Sequence, residues 1–215
     1  MMDASGATNF TEKDCSPYGF HWVMDTYAYT RSAVLAAGDL AKKKWFFIAI
    51  DNVFGESSMA VVRKALQETG GQIVGLVKTP INTTDYASFI AQAQASKAKI
   101  IGMANAGGDT INTIKQAAEF GIVKGGQKLA GLLIFISDVH SLGLKAAQGI
   151  VLTTGFYWDR DEETRKWSKR FFERRKSMPT MTHAGVYSRI THYLKAVKAA
   201  GTKDPLKVAA KMREL

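Results

Sequence analysis

The sequence predicts an α/β protein built on a parallel, twisted sheet with helices on both faces. Apolar runs that suit strands alternate with stretches of helical periodicity through the middle of the chain. The runs begin roughly every 27 to 30 residues, which is the spacing of a βαβ unit. The first run, KKWFFIAI at 43–50, is continuously apolar after its two lysines, as expected for a parallel strand buried on both faces. Alternation of this kind favours right-handed crossovers and a single sheet between two layers of helices.

The individual elements follow in order from residue 22. The predicted strands span 43–50, 72–79, 99–104, part of 128–136, and 149–157. The predicted helices around them span 22–38, 55–71, 86–98, 110–121 and a short stretch within 137–148. Apolar residues at helical spacing mark the helix at 55–71, which Gly70 and Gly71 end. Thr84 or Asp85 is the expected N-cap of the next helix, and Gly121 ends the fourth.

Beyond residue 159 the pattern changes to helices alone. Three helices are predicted over 161–176, about 182–200 and 204–214. Their apolar stripes are rich in aromatic residues, which suits packing against a sheet. The sequence offers no strands for a second sheet, so we expect the chain to be part of something larger.

Four predicted loops follow the carboxyl ends of the strands, where ligands bind in parallel α/β sheets. They are DNVFG (51–55), PINTTD (80–85), NAGGD (105–109) and SDVH (137–140). A carboxylate beside an aromatic ring and backbone donors can hold a small zwitterion or polar acid. Asp138 would face a ligand ammonium or hydroxyl, and Phe54 would cover the apolar part of the ligand. A structural role is equally open for each residue, as a helix N-cap for Asp138 and as a core residue for Phe54. Asp51 is expected to cap its own loop.

Nucleotide binding and catalysis are less favoured. NAGGD is neither G-x-G-x-x-G nor a P-loop, and Asp109 at a helix start would repel an anion. We expect Gly107 and Gly108 to form a tight turn, with Asp109 or Thr110 as N-cap. The four histidines lack helical metal-site spacing, the single cysteine cannot anchor a metal site, and no G-x-S-x-G elbow occurs. The sequence therefore predicts a protein that is not an enzyme, with no metal and no cofactor.

The charge is uneven along the chain. The net charge is +10, and residues 160–215 supply 15 Lys+Arg against 6 Asp+Glu, a net of +9. These basic residues lie beside acids on helical patterns, without a nucleic-acid-binding motif. A solvated helix face is therefore expected, and no nucleic-acid partner.

The start of the chain lacks a secretory signal, and no apolar run is long enough to span a bilayer. We expect the chain either to be cytosolic or to lack its natural start. Cys15 has no partner within the chain, so it is expected to be a free thiol unless a residue outside the chain pairs with it.

Several segments resemble one known family. They are WFFIAIDNVFGESSMAVVRKALQETGGQIVG, DYASFIAQAQASKAKIIGMANAGGDTINTIKQAAEFG, QGIVLTTGFYWD and GVYSRITHYLKAVKAAGTKDPLKVAAKMREL. The chain resembles the periplasmic solute-binding proteins of ABC importers, of the branched-chain amino-acid (Leu/Ile/Val-binding protein) type, over nearly its whole length. The resemblance implies one lobe of a type I periplasmic binding protein at 23–156, a crossover remnant at 1–22, and helices of an incomplete other lobe at 157–215.

The resemblance also implies a function. The family captures small ligands between two lobes by a hinge motion and delivers them to a membrane permease, which implies a periplasmic location. The matching site positions are Phe54, the loop Asn105, Ala106 and Gly107, and Asp138, with Val139 and Asp51 beside them. The third-strand loop has no aromatic residue, which leaves room for an aromatic acid as well as an amino acid.

Two further expectations follow from the resemblance. Helices that lack their lobe are expected to self-associate. The alternative functions are a ligand-sensing domain of a regulator or receptor with the same fold and, less favoured, a nucleotide-dependent enzyme.

Overall fold

The computed structural model of the protein describes residues 6–215. They form two compact units, one comprising Thr26–Thr154 and the other Gly155–Leu215 together with the described residues before Thr26. The division predicted from the sequence, into 1–22, 23–156 and 157–215 with a complete and an incomplete lobe, stays a prediction.

The unit Thr26–Thr154 contains one four-stranded sheet. Its strands are β1 (Lys44–Ile50), β2 (Gln72–Thr79), β3 (Ile100–Ala104) and β4 (Lys128–Gly131). Their order is β2-β1-β3-β4, and every pair is parallel. The predicted parallel sheet is confirmed.

Six α-helices and a 3₁₀ turn surround this sheet. They are α1 (Thr26–Ala36), the 3₁₀ turn Gly38–Lys42, α2 (Val53–Thr69), α3 (Ala87–Ala95), α4 (Gly108–Glu119), α5 (Ile136–Leu142) and α6 (Leu144–Ala147). Helix α2 ends at Gly70, whose φ of 80° gives the left-handed C-cap that the sequence predicts.

The central strand β1 explains why helices lie on both faces. Its side chains alternate, so Trp45 and Phe47 pack with residues of α1 and α2 in one buried cluster. Phe46 and Ile48 pack with residues of α3 and α4 in a second cluster. Gly102 on β3 makes room for this aromatic strand, because a Cβ there would lie 2.1 Å from the Phe47 ring. The apolar residues Trp45–Ile50 of this strand are therefore buried on both sides.

The last predicted strand, 149–157, is wrong. Only Val151 pairs, in an isolated bridge with Ala130, where the Gly131 N–H donates to the Val151 carbonyl at 3.1 Å. Strand β4 ends at Gly131, so no neighbouring ladder is present for the residues after Val151. Apolar sequence alone does not form a strand without a paired backbone beside it.

The other unit is helical in the described residues. It contains α7 (Glu162–Arg175), α8 (Met181–Ala200), α9 (Pro205–Glu214) and a 3₁₀ turn at Thr8–Thr11. Asp161 and Thr164 cap α7 reciprocally, and Asp204 caps α9 ahead of Pro205. Helix α8 packs on α9 through Ala196, Val208 and Met212. Among the described residues, no helix is both long and apolar enough to cross a bilayer.

Candidate functional site

The carboxyl ends of the four parallel strands open on one edge of the sheet. The segments that leave this edge are 51–55, 80–85, 105–109 and the stretch after β4 that leads into α5. We call this edge the strand-end site. Of the seven residues that the sequence predicts as ligand contacts, five lie on the first three segments, and Asp138 and Val139 lie in α5, which the last segment enters. Their contact with a ligand stays a prediction.

The segment after β1 is fixed by Asn52 rather than by Asp51. The Asn52 carbonyl Oδ1 accepts a hydrogen bond from the Gly55 N–H at 2.9 Å and so caps α2. Asp51 does not cap its own loop as expected. Its carboxylate lies 2.8 Å from the Lys78 ammonium. The hydrogen bond from Lys78 to Asp51, and to a smaller extent the one to Glu56, raises the pKa of Lys78. Phe54 is half-buried in the first turn of α2.

Asn105 uses its side chain inside the lobe. The residue is fully buried, its Nδ2 donates to the Thr113 hydroxyl at 3.0 Å, and its Oδ1 accepts from the Thr110 hydroxyl at 2.8 Å. These bonds fix the start of α4 against the end of β3. A ligand at this position would therefore meet the backbone rather than the amide group.

Gly107 presents open backbone beside Asn105. Its φ of 58° and ψ of −129° suit glycine, and a Cβ there would meet no atom within 4 Å. Ala106 and Gly107 are partly exposed, and no side chain caps the N-terminus of α4. The turn that follows β3 thus leaves space and backbone groups at the strand-end site.

Asp109 has a role that the sequence analysis missed. It was expected to cap α4, and so was Thr110, but the N-cap is Gly107 and both expectations are wrong. The Asp109 carboxylate instead accepts the Tyr86 hydroxyl at 3.0 Å and the Asn82 N–H at 3.3 Å. Burial is the main cause that raises the pKa of the Tyr86 phenol.

Two further polar side chains of α4 hold the segment after β2. Gln116 accepts the Tyr86 N–H at 2.7 Å and donates to the Thr84 carbonyl at 2.8 Å, and Asn112 donates to the Thr83 carbonyl at 3.3 Å. Residues 109, 112 and 116 lie on one face of the helix because they are spaced by three and four. That spacing of polar residues was the available signal in the sequence.

Asp138 is a buried carboxylate in the first turn of α5. It is 7% exposed, and its Oδ2 accepts the Phe135 N–H at 2.9 Å. Burial raises its pKa above the ordinary value of 3.8, against the opposing hydrogen bonds from Phe135 and Ser137. Within residues 6–215, no cation makes a salt bridge with it. Asp138 therefore combines a structural hydrogen bond with a buried carboxylate that has no salt-bridge partner among residues 6–215.

Val139 packs toward the interior. It is half-buried and contacts the cluster that includes Phe46 and Ile48. In the part of the chain that the structure describes, no group of three His, Cys, Asp or Glu residues could hold a metal ion.

A parallel sheet whose strand ends carry these segments is the fold of an α/β ligand-binding lobe. The family model described as periplasmic binding protein matches residues 2–215. The chain belongs to the periplasmic binding protein family, and the resemblance noted from the sequence is confirmed. None of the curated proteins compared with the chain matches it.

Solved structures agree with this assignment. A periplasmic binding protein from Burkholderia mallei is 45% identical with a TM-score of 0.95, and the match covers 99% of this chain and 56% of that one. A branched chain amino acid ABC transporter periplasmic ligand-binding protein from Burkholderia xenovorans is 38% identical with a TM-score of 0.84, and the match covers 100% and 57%.

A solute binding protein of an ABC transporter from Rhodopseudomonas palustris, in complex with 4-hydroxybenzoate, shares the fold. It is 24% identical with a TM-score of 0.85, and the match covers 96% of this chain and 57% of that one. The chain thus spans little more than half the length of these solved structures.

Proposed function

We propose that this protein is a substrate-binding component of an ABC transporter, capturing a small organic acid for uptake. The observation that carries the proposal is the buried, uncompensated carboxylate of Asp138 on the same sheet edge as the open backbone at Gly107. Family membership supports the same function. The implied partners are the small-molecule ligand and the transporter's membrane permease, and the implied location is the periplasm.

Each predicted site residue has a role in this proposal. Asp138 accepts a hydrogen bond from a ligand ammonium or hydroxyl, and the low dielectric around it strengthens that bond. The ligand rests on the open backbone of Ala106 and Gly107. Phe54 covers the apolar part of the ligand, and Asn105 holds the turn in place.

Asp138 restricts the class of acid. A buried carboxylate without a counter-charge needs a donor, which an amino acid supplies as an ammonium and a hydroxylated aromatic acid as a phenol. Unsubstituted benzoate supplies neither. The Burkholderia xenovorans relative is named for branched-chain amino acids, and the Rhodopseudomonas palustris protein holds 4-hydroxybenzoate. We therefore expect L-leucine or 4-hydroxybenzoate to bind more tightly than benzoate.

Calorimetric titration of this chain with leucine, isoleucine, valine, benzoate, 4-hydroxybenzoate and 3,4-dihydroxybenzoate tests the proposal. Saturable binding of an amino acid or a hydroxylated benzoate, with benzoate at least about tenfold weaker, is the expected result. ATP and NAD serve as controls for the nucleotide alternative. Saturable binding of a nucleotide with none of the acids would refute the proposal.

A second copy of the chain is also a proposed partner, through one face of α8. The exposed apolar residues of this face are Val186, Tyr187, Ile190, Tyr193 and Leu194. They recur at helical spacing, and Leu194 is 59% exposed. We call this surface the α8 face.

Sedimentation velocity over a range of concentrations is expected to show reversible self-association of the wild-type chain. Leu194→Asp should weaken it by about fivefold or more, because it places a charge in the apolar contact. Leu206→Asp is the matched control, since Leu206 is comparably exposed but lies on α9. Equal behaviour of both variants would exclude the α8 face.

A further inference from the structure

A cavity lies at the opposite edge of the sheet from the strand-end site. It has a volume of about 940 Å³ and lies between the carboxyl end of α4, the start of β4 and the short helix α6. Lys128, which lines it, is the first residue of β4, whereas the strand-end site follows the last residues of the strands. The strand-end site therefore does not include this cavity.

The floor and much of the wall are apolar. Ile114 and Leu129 are buried at the base, and Leu142 and Ile150 pack against the same interior cluster. At the rim, Leu144 is 82% exposed, the largest exposure among the large apolar residues that the structure describes. The volume is within the range of about 300–1,000 Å³ that holds small organic ligands. An apolar group in the cavity would remove this surface from water.

The charges around the cavity have one sign. Lys124 follows α4, Lys128 begins β4 and Lys145 lies on α6, so three separate elements bring ammonium groups to one opening. No Asp or Glu is among the described residues that line the cavity. Within residues 6–215, none of these three lysines forms a salt bridge. The cavity thus combines an apolar interior with an uncompensated positive rim.

We propose that this cavity is a second ligand site, for a free carboxylate with an aliphatic chain. The chain would lie on Leu142, Leu144 and Ile150, and the carboxylate would remain at the rim near the lysines. Lysine stems can cover an apolar chain while their ammonium groups stay in water, which suits such a ligand. The proposal goes beyond transport of a small organic acid, because it uses other residues, another edge of the sheet and another ligand class.

Calorimetric titration of the full chain with sodium laurate, below its micellar concentration, tests the site. We expect saturable binding that weakens by about tenfold or more in Leu144→Asp and in the triple variant Lys124→Glu, Lys128→Glu, Lys145→Glu. These side chains are exposed, so the fold should persist, and far-UV circular dichroism checks this. Lys64→Glu on α2, a single charge reversal away from the cavity, is the charge control, and it should leave laurate binding unchanged.

Competing explanations give different results. Dodecyltrimethylammonium has the same chain with a cationic head, so equal binding of both amphiphiles would overturn the charge argument. Loss of laurate binding in Leu194→Asp, with full binding in Leu144→Asp, would assign the ligand to the α8 face and overturn the proposal.

Two further arms separate this site from membranes and from the strand-end site. Flotation with phosphatidylglycerol vesicles but no saturable laurate binding would assign the surface to a membrane and overturn the proposal. Asp138→Asn should leave laurate binding unchanged, so the outcome is independent of the strand-end site.

Discussion

Replacing Gly55 by alanine is expected to lower the free energy of unfolding by about 3 kcal/mol or more. Gly55 is buried in the first turn of α2, immediately after β1. A Cβ there would lie 1.9 Å from the Ile50 carbonyl oxygen, which belongs to the strand backbone and cannot rotate away. The helix start would have to move from the strand, which would also strain the 2.9 Å bond from the Gly55 N–H to Asn52. Chemical denaturation monitored by circular dichroism measures the loss.

Gly108→Ala is the matched control for this change. Gly108 also lies in the first turn of a helix that follows a parallel strand, but a Cβ there would meet nothing within 4 Å. We expect Gly108→Ala to change the stability by less than about 1 kcal/mol, and in the stabilising direction if at all. Equal destabilisation by the two substitutions would show that contact with the Ile50 carbonyl oxygen is not the reason why Gly55→Ala lowers the stability.

The fold was predictable where burial follows the local pattern. Strand β1 is apolar at consecutive positions because both faces are covered, and the helices around it show their own periodicity. The strand predicted over 149–157 does not form, for a reason that the hydrophobic periodicity of the sequence does not encode. A strand needs a neighbour's backbone, and β4 stops at Gly131, so only Val151 finds a partner.

The site was predictable only to the level of loops. The parallel topology carries the four segments to one edge, so their assembly follows from the fold. Side-chain roles depend on tertiary partners that the sequence does not display. Asp109 is at a position that suits a helix cap, yet its carboxylate accepts a hydrogen bond from the hydroxyl of Tyr86, which is distant in sequence. Asp51 likewise pairs with Lys78 on the adjacent strand, and Asn52 beside it provides the cap.

Asp138→Asn is expected to weaken binding of an amino-acid ligand by about 2–4 kcal/mol, or roughly 30- to 700-fold in affinity. The amide keeps the size of the side chain and can still accept the Phe135 N–H, so α5 should retain its first turn. The change removes the charge that would meet the ligand ammonium and replaces one acceptor oxygen by an NH2 donor. Titration with L-leucine measures the effect; if 4-hydroxybenzoate is the ligand, the loss should be about 1.5–3 kcal/mol, as for hydrogen bonds to charged groups.

The pH dependence gives the same carboxylate a second test. Burial raises the pKa of Asp138, so as the pH falls it is protonated before a surface aspartate would be. Protonation removes the charge that attracts the ammonium, so wild-type affinity for leucine should fall as the pH drops through this raised pKa. Asp138→Asn should show no such decline.

Asp161→Asn is a control for the loss of a carboxylate that accepts a backbone N–H at a helix start. Asp161 also uses a carboxylate oxygen to accept a backbone N–H at a helix start, from Thr164 at 2.8 Å, but it lies in the other unit. If the two asparagine variants bind leucine with the same affinity, Asp138 is not a ligand contact. The expected result is a loss of leucine affinity in Asp138→Asn only, together with loss of the pH dependence that the wild type shows. That result ties the affinity to a buried negative charge rather than to the integrity of α5.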